Sequence, residues 1–351
     1  MSGPSGRERL RRFACVLVAS WGLVVAGAAH AASLPAPPPA HAVKIATVAP
    51  EGTPWMQVMR ALDADVRRET GNAVGFKFYA NATQGDEAVV LRKIRTGQLD
   101  GGGFTGQGLG RVAPALRVME LPFLWDDHAE VDRAYEQIGP RLESTLKESG
   151  FTLLGWADVG FVYLFSRQPI AKEADLKQAK MWVWEGDPLA EAFFRATGVS
   201  PVPLPINDVL TSLQTRLVDC VYSSALACLG TQWFSRVGYF TDVPVTYATG
   251  AVVISNAAYD KIPAAHRDVF IKLCRAKLRE LVVVSRQKDA ESLLEIEKSG
   301  VKRVTMPPAE VARFIALGRE VWKGQVGKLY PQELLDAVTK VAETTGAGAS
   351  R

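Results

Sequence analysis

The chain has 351 residues, of which 48% are hydrophobic and 22% are charged, and its formal net charge is +4. This is ordinary globular composition, which excludes a fibrous or largely disordered chain, and the length predicts roughly two domains. Four arginines and one glutamate lie within residues 1–31, so the rest of the chain has 37 basic and 36 acidic residues. That near balance gives no electrostatic argument for a nucleic-acid partner.

Residues 1–31 predict a secretory signal peptide. Arginines at positions 7–12 form a basic start, an apolar run covers 13–29, and Ala29-His30-Ala31 is a small-x-small cleavage signal, so we expect cleavage after Ala31. An uncleaved membrane anchor is the alternative, but the apolar run is short for a spanning helix of about 20 residues. Residues 32–42, which include SLPAPPPAH, predict a proline-rich tether.

The next segments predict alternating strands and helices. Residues 43–48 predict a buried strand, residues 54–70 a helix that stops at Gly71, and residues 75–79 a second strand. The same alternation continues along the chain. It favours an α/β fold with largely parallel sheets.

An internal similarity predicts two lobes. The segments VVLRKIRTGQLDG (89–101) and DVLTSLQTRLVDC (208–220) align without a gap at an offset of 119, with six matching positions. Each copy predicts a helix, a tight turn and a short strand, a pattern that unrelated units of this kind also share. We favour two similar α/β lobes with a cleft between them. Ligands of parallel sheets bind beyond the carboxyl ends of the strands, which places residues 102–110 and 221–228 at the cleft.

A long uninterrupted segment predicts a helix that bridges both lobes. Residues 264–299 contain no glycine or proline, and Pro263 and Gly300 flank them with suitable start and stop chemistry. Thirty-six residues at about 1.5 Å each extend about 54 Å, which is longer than one small lobe is wide.

No motif indicates catalysis. His128 and His266 lack partners at metal-ligand spacing, and the chain has no GxSxG motif, no P-loop and no GxGxxG between a strand and a helix. Residues 125–132, WDDHAEVD, predict the capped start of a surface helix rather than a metal site. We therefore expect no catalytic residues, no metal and no cofactor, and the remaining chemistry is that of binding.

Three cysteines follow the predicted signal peptide: Cys220, Cys228 and Cys274. An odd number does not make a disulfide framework. A Cys220–Cys228 bridge is one alternative in an oxidising compartment, and burial as small apolar residues is the favoured one.

The combined pattern resembles the extracytoplasmic substrate-binding subunits of tripartite ATP-independent periplasmic (TRAP) transporters. The resemblance covers roughly residues 43–325 and includes KIATVAPEGTPW, NATQGDEAVVLRKIRTGQLDG, VMELPFLWDD, DLKQAKMWVWEGDP, LQTRLVDCVYSS and VVISNAAYDKIPAAHRDVF. It implies a periplasmic receptor with the two-lobed α/β periplasmic binding protein fold, hinge strands and a long helix bridging both lobes. Hinge closure would enclose a small-molecule ligand, and membrane permease subunits would accept it.

The resemblance also implies domain boundaries. We expect lobe I to comprise 43–158 plus 247–284, and lobe II to comprise 159–246 plus 285–325, with the bridging helix at 264–299. Residues 326–351 are expected to form a C-terminal helix and tail.

The chain departs from the family pattern at its ligand anchors. Typical members have DLKGLKIRV where this chain has DLKQAKMWV, so the arginine that pairs with a ligand carboxylate falls on Trp182. A second family arginine falls on Val162. An indole offers an apolar face and one N–H donor and cannot replace a bidentate guanidinium. The resemblance therefore predicts a hydrophobic or aromatic ligand, with a cation over the rings as an alternative.

The predicted ligand-binding residues are aromatic side chains, polar cleft residues and two acids of the turn after the Trp182 strand. They are Trp182, Trp184, Trp156, Phe161, Tyr163, Phe104, Thr105, Gln107, Tyr222, Ser223, Glu185 and Asp187. For each aromatic residue, packing in a lobe core is the alternative. Burial of Trp182 inside a lobe, or a basic group in the cavity, would count against an apolar ligand.

Three other hypotheses stay open. The first is an organic-acid receptor whose carboxylate anchor is not one of the family arginines. The others are a secreted hydrolase that uses cleft carboxylates, and a binding module coupled to a membrane sensor. Some family branches without the arginine are associated with a periplasmic tetratricopeptide-repeat protein, which is a further expected partner.

Overall fold

The computed structural model of the chain describes residues 37–343. The predicted signal peptide, the first part of the predicted tether and the last eight residues lie outside this range. The described residues contain strands β1 (His41–Thr47), β2 (Val74–Tyr79), β3 (Gly101–Thr105), β4 (Phe151–Trp156), β5 (Gly160–Ser166), β6 (Trp182–Trp184), β7 (Val202–Leu204), β8 (Cys220–Ser224), β9 (Tyr239–Thr241), β10 (Thr246–Ala248), β11 (Gly250–Ser255) and β12 (Lys302–Val304). The α-helices are α1 (Pro54–Glu69), α2 (Glu87–Arg95), α3 (Gly106–Val112), α4 (His128–Glu148), α5 (Glu173–Leu176), α6 (Pro188–Ala196), α7 (Val209–Thr215), α8 (Ala225–Gly230), α9 (Asn256–Lys261), α10 (Ala264–Lys298), α11 (Pro308–Gly324) and α12 (Gln332–Glu343). 3₁₀ turns lie at Pro114–Glu120, Ile206–Asp208 and Trp233–Arg236.

Local sequence chemistry sets the helix starts. Pro54 is the first residue of α1, and the side chain of Thr53 accepts a hydrogen bond from the Met56 backbone N–H. Asp127 caps α4 by accepting from the Glu130 backbone N–H at 2.8 Å. The segment 125–132 is thus a capped helix start, as the sequence predicts.

The structure confirms the two-lobed α/β fold. The sheet of lobe I has the order β2-β1-β3-β11-β4, with helices on both faces. In the sheet of lobe II, β5 pairs with β8, β9 and β10, and β12 pairs with β9. The short pair β6–β7 joins lobe II through a bridge between Met181 and Cys220.

The expectation of largely parallel sheets is wrong. Among the described strands, β1 is parallel to β2 and β3, but β11 runs antiparallel to β3 and β4. In lobe II, β5 is antiparallel to all three of its neighbours. The reason is that β5 and β11 follow directly on strands of the other lobe, so each enters its sheet from the cleft side.

Two chain crossings connect the lobes. The first runs from β4 to β5 and the second from β10 to β11, and they are hydrogen-bonded to each other. The Ala157 N–H donates to the Gly250 carbonyl at 2.8 Å, and the Val159 N–H donates to the Ala248 carbonyl at 3.0 Å. A Cβ at Gly250 would lie 2.3 Å from the Ala157 carbonyl oxygen, so only glycine permits this approach. The crossings form a paired ribbon between the sheets.

The long helix α10 packs on both lobes. Phe270 and Leu278 are buried against α1 and β4 in the core of lobe I. Ile296, near the other end, is buried with Phe165 and Phe240 of lobe II. The predicted bridging helix is confirmed, and it ends one residue before the predicted boundary.

The internal similarity corresponds to matching elements in the two lobes. At the offset of 119, the residues of β3 fall on the residues of β8, and α3 starts at Gly106 where α8 starts at Ala225. The helix before each strand, α2 or α7, also corresponds. The two copies are therefore equivalent strand–helix junctions, and each faces the other lobe.

The C-terminal helix α12 belongs to lobe I. Leu334, Leu335 and Val338 are buried in a core that includes Leu142 and Leu146 of α4. The predicted tail, residues 344–351, lies outside the described range.

The cysteines are buried and free. Cys220, Cys228 and Cys274 form no disulfide, and burial raises the pKa of each thiol above its ordinary value. The favoured alternative, small residues in the core, describes all three. Between residues 37 and 343, no helix combines the length and apolar character needed to cross a bilayer.

Candidate ligand-binding site

A cavity of about 230 Å³ lies between the lobes. Lobe I contributes the loop after β1 and the β3–α3 junction, 103–107, and lobe II contributes β6, the start of α6 and the β8–α8 junction, 222–227. The crossing segment 157–159 closes one side. Most lining side chains are apolar, among them Leu189, Phe193 and Phe194. The two strand–helix junctions that the sequence places at the cleft both line it.

Eight of the twelve predicted site residues line this cavity: Trp182, Trp184, Phe104, Thr105, Gln107, Tyr222, Ser223 and Asp187. The other four lie elsewhere. Phe161 packs edge-on against His128 and Tyr247, and Trp156 lies against Tyr135. Tyr163 lies 6.4 Å from Phe240, and the side chain of Glu185 is exposed.

Trp182 is both cavity wall and lobe core. It is 1% exposed, its ring stacks on Tyr222 at 5.0 Å between centroids, and it meets Trp233 edge-on at 5.2 Å. Its indole N–H donates to the Leu204 carbonyl at 3.0 Å. Because that donor is already used within lobe II and the ring is almost fully buried, Trp182 offers a ligand only a small area of aromatic surface. Val162, where the resemblance expects the second arginine, also lines the cavity.

A basic group, Arg117, does stand in the cavity, although no sequence pattern predicts it there. By the criterion given above this counts against an apolar ligand, unless the protein itself already pairs the group. Arg117 is 6% exposed, and its Nη2 donates to both carboxylate oxygens of Asp187 at 2.9 Å. Its Nη1 donates to Glu120. Burial lowers the pKa of Arg117, but the charges of Asp187 and Glu120 outweigh burial and raise the pKa above its ordinary value. The guanidinium is thus neutralised by the protein itself.

The two carboxyl groups on Arg117 come from different parts of the molecule. Asp187 caps α6 and accepts from the Leu189 and Ala190 backbone N–H groups, each at 3.1 Å. Glu120 accepts from the Thr249 N–H and hydroxyl, at 2.6 and 2.8 Å, on the second crossing. Burial raises the pKa of Glu120, and Arg117 opposes that shift. The ion cluster therefore joins lobe I to lobe II and to the hinge.

A second buried carboxyl group supports the wall of lobe I. Glu87, at the start of α2, accepts from the Thr105 N–H at 2.7 Å and from the Thr105 hydroxyl at 2.9 Å. Burial raises the pKa of Glu87 to about 8. Glu87 therefore holds the end of β3 and carries a proton near neutral pH.

Asp158 places a carboxyl group on the first crossing. The hydroxyl groups of Tyr135 and Tyr247 each donate to it at 2.8 Å, and Arg286 of α10 lies at 3.5 Å. Burial raises the pKa of Asp158 to about 6. Its two hydrogen bonds and the ion pair with Arg286 connect lobe I, both crossings and the long helix.

Two buried polar atoms at the cavity have no protein partner within residues 37–343. They are Gln107 Oε1 and Arg117 Nε. Buried polar atoms are almost always hydrogen-bonded. Both residues line the cavity, so a bound molecule is one candidate partner for these two atoms.

Comparison with known proteins identifies the family. The model described as bacterial extracellular solute-binding protein, family 7, matches residues 45–328. The chain belongs to this family. Its members are periplasmic receptors of TRAP transporters, which bind small molecules and deliver them to membrane permease subunits, so the resemblance seen in the sequence is confirmed.

Relatives of this TRAP receptor include the 2,3-diketo-L-gulonate-binding periplasmic protein of Escherichia coli, which is 25% identical over 287 residues, covering 79% of this chain and 84% of that protein. The C4-dicarboxylate-binding periplasmic protein of Vibrio cholerae is 24% identical over 269 residues, covering 75% and 79%. A TRAP solute-binding protein of Shewanella oneidensis, solved with bound succinate, superposes with a TM-score of 0.81 at 22% identity, covering 87% of this chain and 100% of that one. Family and fold are those of solute-binding receptors and not of enzymes.

Side chains of this receptor also meet across the cleft away from the ion cluster. Asp86, which caps α2 of lobe I, accepts from the Trp184 indole N–H at 3.0 Å and from the Ile206 backbone N–H at 3.1 Å. Gln107 Nε2 donates to the Glu185 carbonyl at 3.3 Å, and Arg111 donates to the same carbonyl. These contacts hold the lobes together over the cavity.

The residues that sequence reasoning missed are charged and paired over long distances in the chain. Arg117 directly precedes VMELPFLWDD, a segment already used for the resemblance, and its partner Asp187 lies 70 residues later. A single arginine and a single glutamate inside an apolar run, ALRVMELPF, are the only signal that the sequence offers. Such residues are rarely buried unless they are paired.

Proposed function

We propose that this TRAP receptor encloses a small neutral molecule with an apolar or aromatic body, rather than a small organic acid. One observation carries the proposal. Of the residues that line the cavity in the described chain, Arg117 is the single basic side chain, and Asp187 and Glu120 already hold it. A ligand carboxylate would meet one paired guanidinium and three acidic residues, the third being Asp158. Unpaired burial of a carboxylate is strongly unfavourable.

The size of the cavity supports a ligand of about one ring. An apolar cavity of about 150 Å³ accommodates benzene. The volume of about 230 Å³ therefore leaves room for a single ring with few substituents. Walls built from Trp182, Phe104 and Phe194 match such a body. The free acceptor on Gln107 and the free donor on Arg117 suit one hydroxyl or amide group.

A cation over the indoles is less well supported. Of the two acidic residues predicted at the site, Asp187 is already paired and Glu185 does not line the cavity, so neither is available to a ligand cation.

An organic acid is the second candidate, and a specific observation favours it. Arg117 lines the cavity with Nε unpaired, and its Nη2 already contacts both oxygens of one carboxylate, that of Asp187, so a guanidinium able to bind a carboxylate is present at the cavity. The solved and curated relatives named above carry organic acids in their descriptions. In this second candidate, the ligand would displace Asp187.

A ligand panel of matched pairs tests the proposal. Benzamide and benzoate have nearly the same shape and differ in charge, and succinate represents the small dicarboxylates. We expect benzamide to raise the melting temperature of the wild-type protein and to bind more tightly than benzoate by calorimetry. A ligand at 100 times its Kd stabilises the native state by about 2.7 kcal/mol, which such melts resolve. Stabilisation by the carboxylates alone would refute the proposal.

Two accompanying proposals concern the setting of the receptor. We propose export to the periplasm with cleavage after Ala31, which mass measurement of the periplasmic protein tests directly. The periplasmic tetratricopeptide-repeat partner stays a prediction from the resemblance.

A further inference from the structure

Asp187 pairs with Arg117 at the wall of the cavity. Both of its oxygens lie 2.9 Å from Nη2 of Arg117, and the residue is 3% exposed on the wall of the cavity. Asp187 comes from lobe II and Arg117 from lobe I, so the pair forms across the cleft. The guanidinium therefore pairs with an internal carboxylate at the ligand-binding surface.

We infer that Asp187 is the specificity-determining residue of this receptor, an internal counter-ion that excludes carboxylate ligands from Arg117. The inference rests on the proposed function and assigns its ligand preference to one side chain. The remaining structure of the cavity would then accept a carboxylate once Asp187 lost its charge.

Asp187 should pair with Arg117 more favourably than a ligand carboxylate does, for two reasons. Backbone N–H groups of Leu189 and Ala190 fix the Asp187 carboxylate at the start of α6, so it loses little freedom on pairing. A ligand that displaced it would also leave a buried carboxylate without its counter-ion, which is strongly unfavourable. Glu120 adds a second carboxyl group on the same guanidinium.

Asp187→Asn removes the negative charge of residue 187 while keeping its role as the cap of α6. Asparagine is as good a helix cap as aspartate, so Asp187→Asn keeps the cap of α6. Its amide cannot neutralise a guanidinium. Arg117 would then keep Glu120 as its single acidic partner, and a ligand carboxylate would have to displace only a neutral amide; in Asp187→Ser the shorter side chain would also leave that edge of the guanidinium open.

The experiment expresses the chain with its own N-terminal segment, purifies the exported protein from the periplasm, and measures its binding of benzoate, succinate and benzamide. We expect Asp187→Asn to bind benzoate at least about tenfold more tightly than the wild-type protein does, which is about 1.4 kcal/mol. Benzamide binding should change much less. The double variant Arg117→Met/Asp187→Asn should lose the gain, because the cation is then absent.

Two controls keep the result interpretable. Asp127→Asn makes the same substitution at another helix cap, that of α4, which does not line the cavity, and it should leave benzoate binding unchanged. Asp187→Ser also keeps a capping side chain and serves if the asparagine variant is unstable.

The outcomes separate this inference from the proposed function. If the position 187 variants fold but bind neither benzoate nor succinate more tightly than the wild-type protein does, the specificity role of Asp187 is refuted and the proposed ligand class is not affected. A wild-type protein that binds carboxylates in preference to benzamide overturns the proposed ligand class. If position 187 variants then bind carboxylates still more tightly, the counter-ion role stands.

Discussion

Asp86 should hold the cleft closed, and replacing it should weaken ligand binding. Asp86→Ser keeps a helix cap on α2 but is too short to accept from lobe II. The lost contacts are the hydrogen bonds from the Trp184 indole at 3.0 Å and from the Ile206 N–H at 3.1 Å. Hydrogen bonds to a charged acceptor contribute about 1.5–3 kcal/mol each, and Asp86 is half-buried, so we take the low end of that range.

Two such bonds sum to about 3 kcal/mol, and because neighbouring interactions are rarely fully additive, we expect the closure equilibrium to shift by about 2–3 kcal/mol. If the ligand binds the closed form and the open form becomes dominant, apparent Kd rises in proportion, by roughly 30- to 150-fold. Calorimetry with benzamide measures the affinity, and small-angle X-ray scattering of the ligand-free protein measures the opening.

Trp184→Phe provides the matched partner change, since it keeps an aromatic ring and removes the indole N–H. A double-mutant cycle between the two positions should give a coupling energy of about 1 kcal/mol or more. Strictly additive effects, with unchanged scattering for both variants, would refute the proposed role of Asp86.

Two further predictions concern stability. Burial raises the pKa of Glu87 from 4.5 to about 8, so the native state binds a proton that the unfolded chain has lost between these values. Ionisation of this group should lower the free energy of unfolding by at most about 1.4 kcal/mol for each unit that the pH rises. In urea titrations from pH 5 to 8, the free energy of unfolding of Glu87→Gln should therefore depend less steeply on pH than that of the wild-type protein. Equal slopes for the two proteins would contradict this. Gly106→Ala would place a Cβ 1.9 Å from a Glu120 carboxylate oxygen, whereas Gly324→Ala meets nothing within 4 Å. Only Gly106→Ala should lower the melting temperature, by an amount equivalent to about 1–3 kcal/mol, and equal effects would argue against close packing there.

The fold was largely predictable because glycine, proline and apolar spacing mark its elements. The long helix runs from Ala264 to Lys298 between Pro263 and Gly300, whose positions are visible in the sequence. The offset of 119 found two equivalent junctions because each lobe buries the same helix and strand faces. Strand direction was not predictable, because it depends on the two crossings between the lobes, and no local pattern encodes them.

The sequence predicted the site residues that lie in segments resembling the family. It did not predict the residues whose place in the site depends on pairing with a distant part of the chain. Trp182 and Tyr222 come from segments aligned with the family, and both line the cavity. Phe161 lies next to the first crossing, but its ring packs at the hinge with Tyr247, because the pleat of β5 turns it away from the cavity. The pairing of Arg117 with Asp187 depends on how the two lobes meet; the sequence shows a charged residue inside an apolar run but does not show which residue pairs with it.

The placement of the two ends of the described chain has a practical consequence. The strand β1 begins at His41 in the sheet of lobe I, and α12 ends at Glu343 after packing on α4 of the same lobe. A linkage to a surface near either end would therefore attach to lobe I alone, and a fluorescent label placed there would report on lobe I. Lobe II would remain free to rotate about the two crossings, so a receptor immobilised in this way should bind its ligand with the same affinity as the protein in solution.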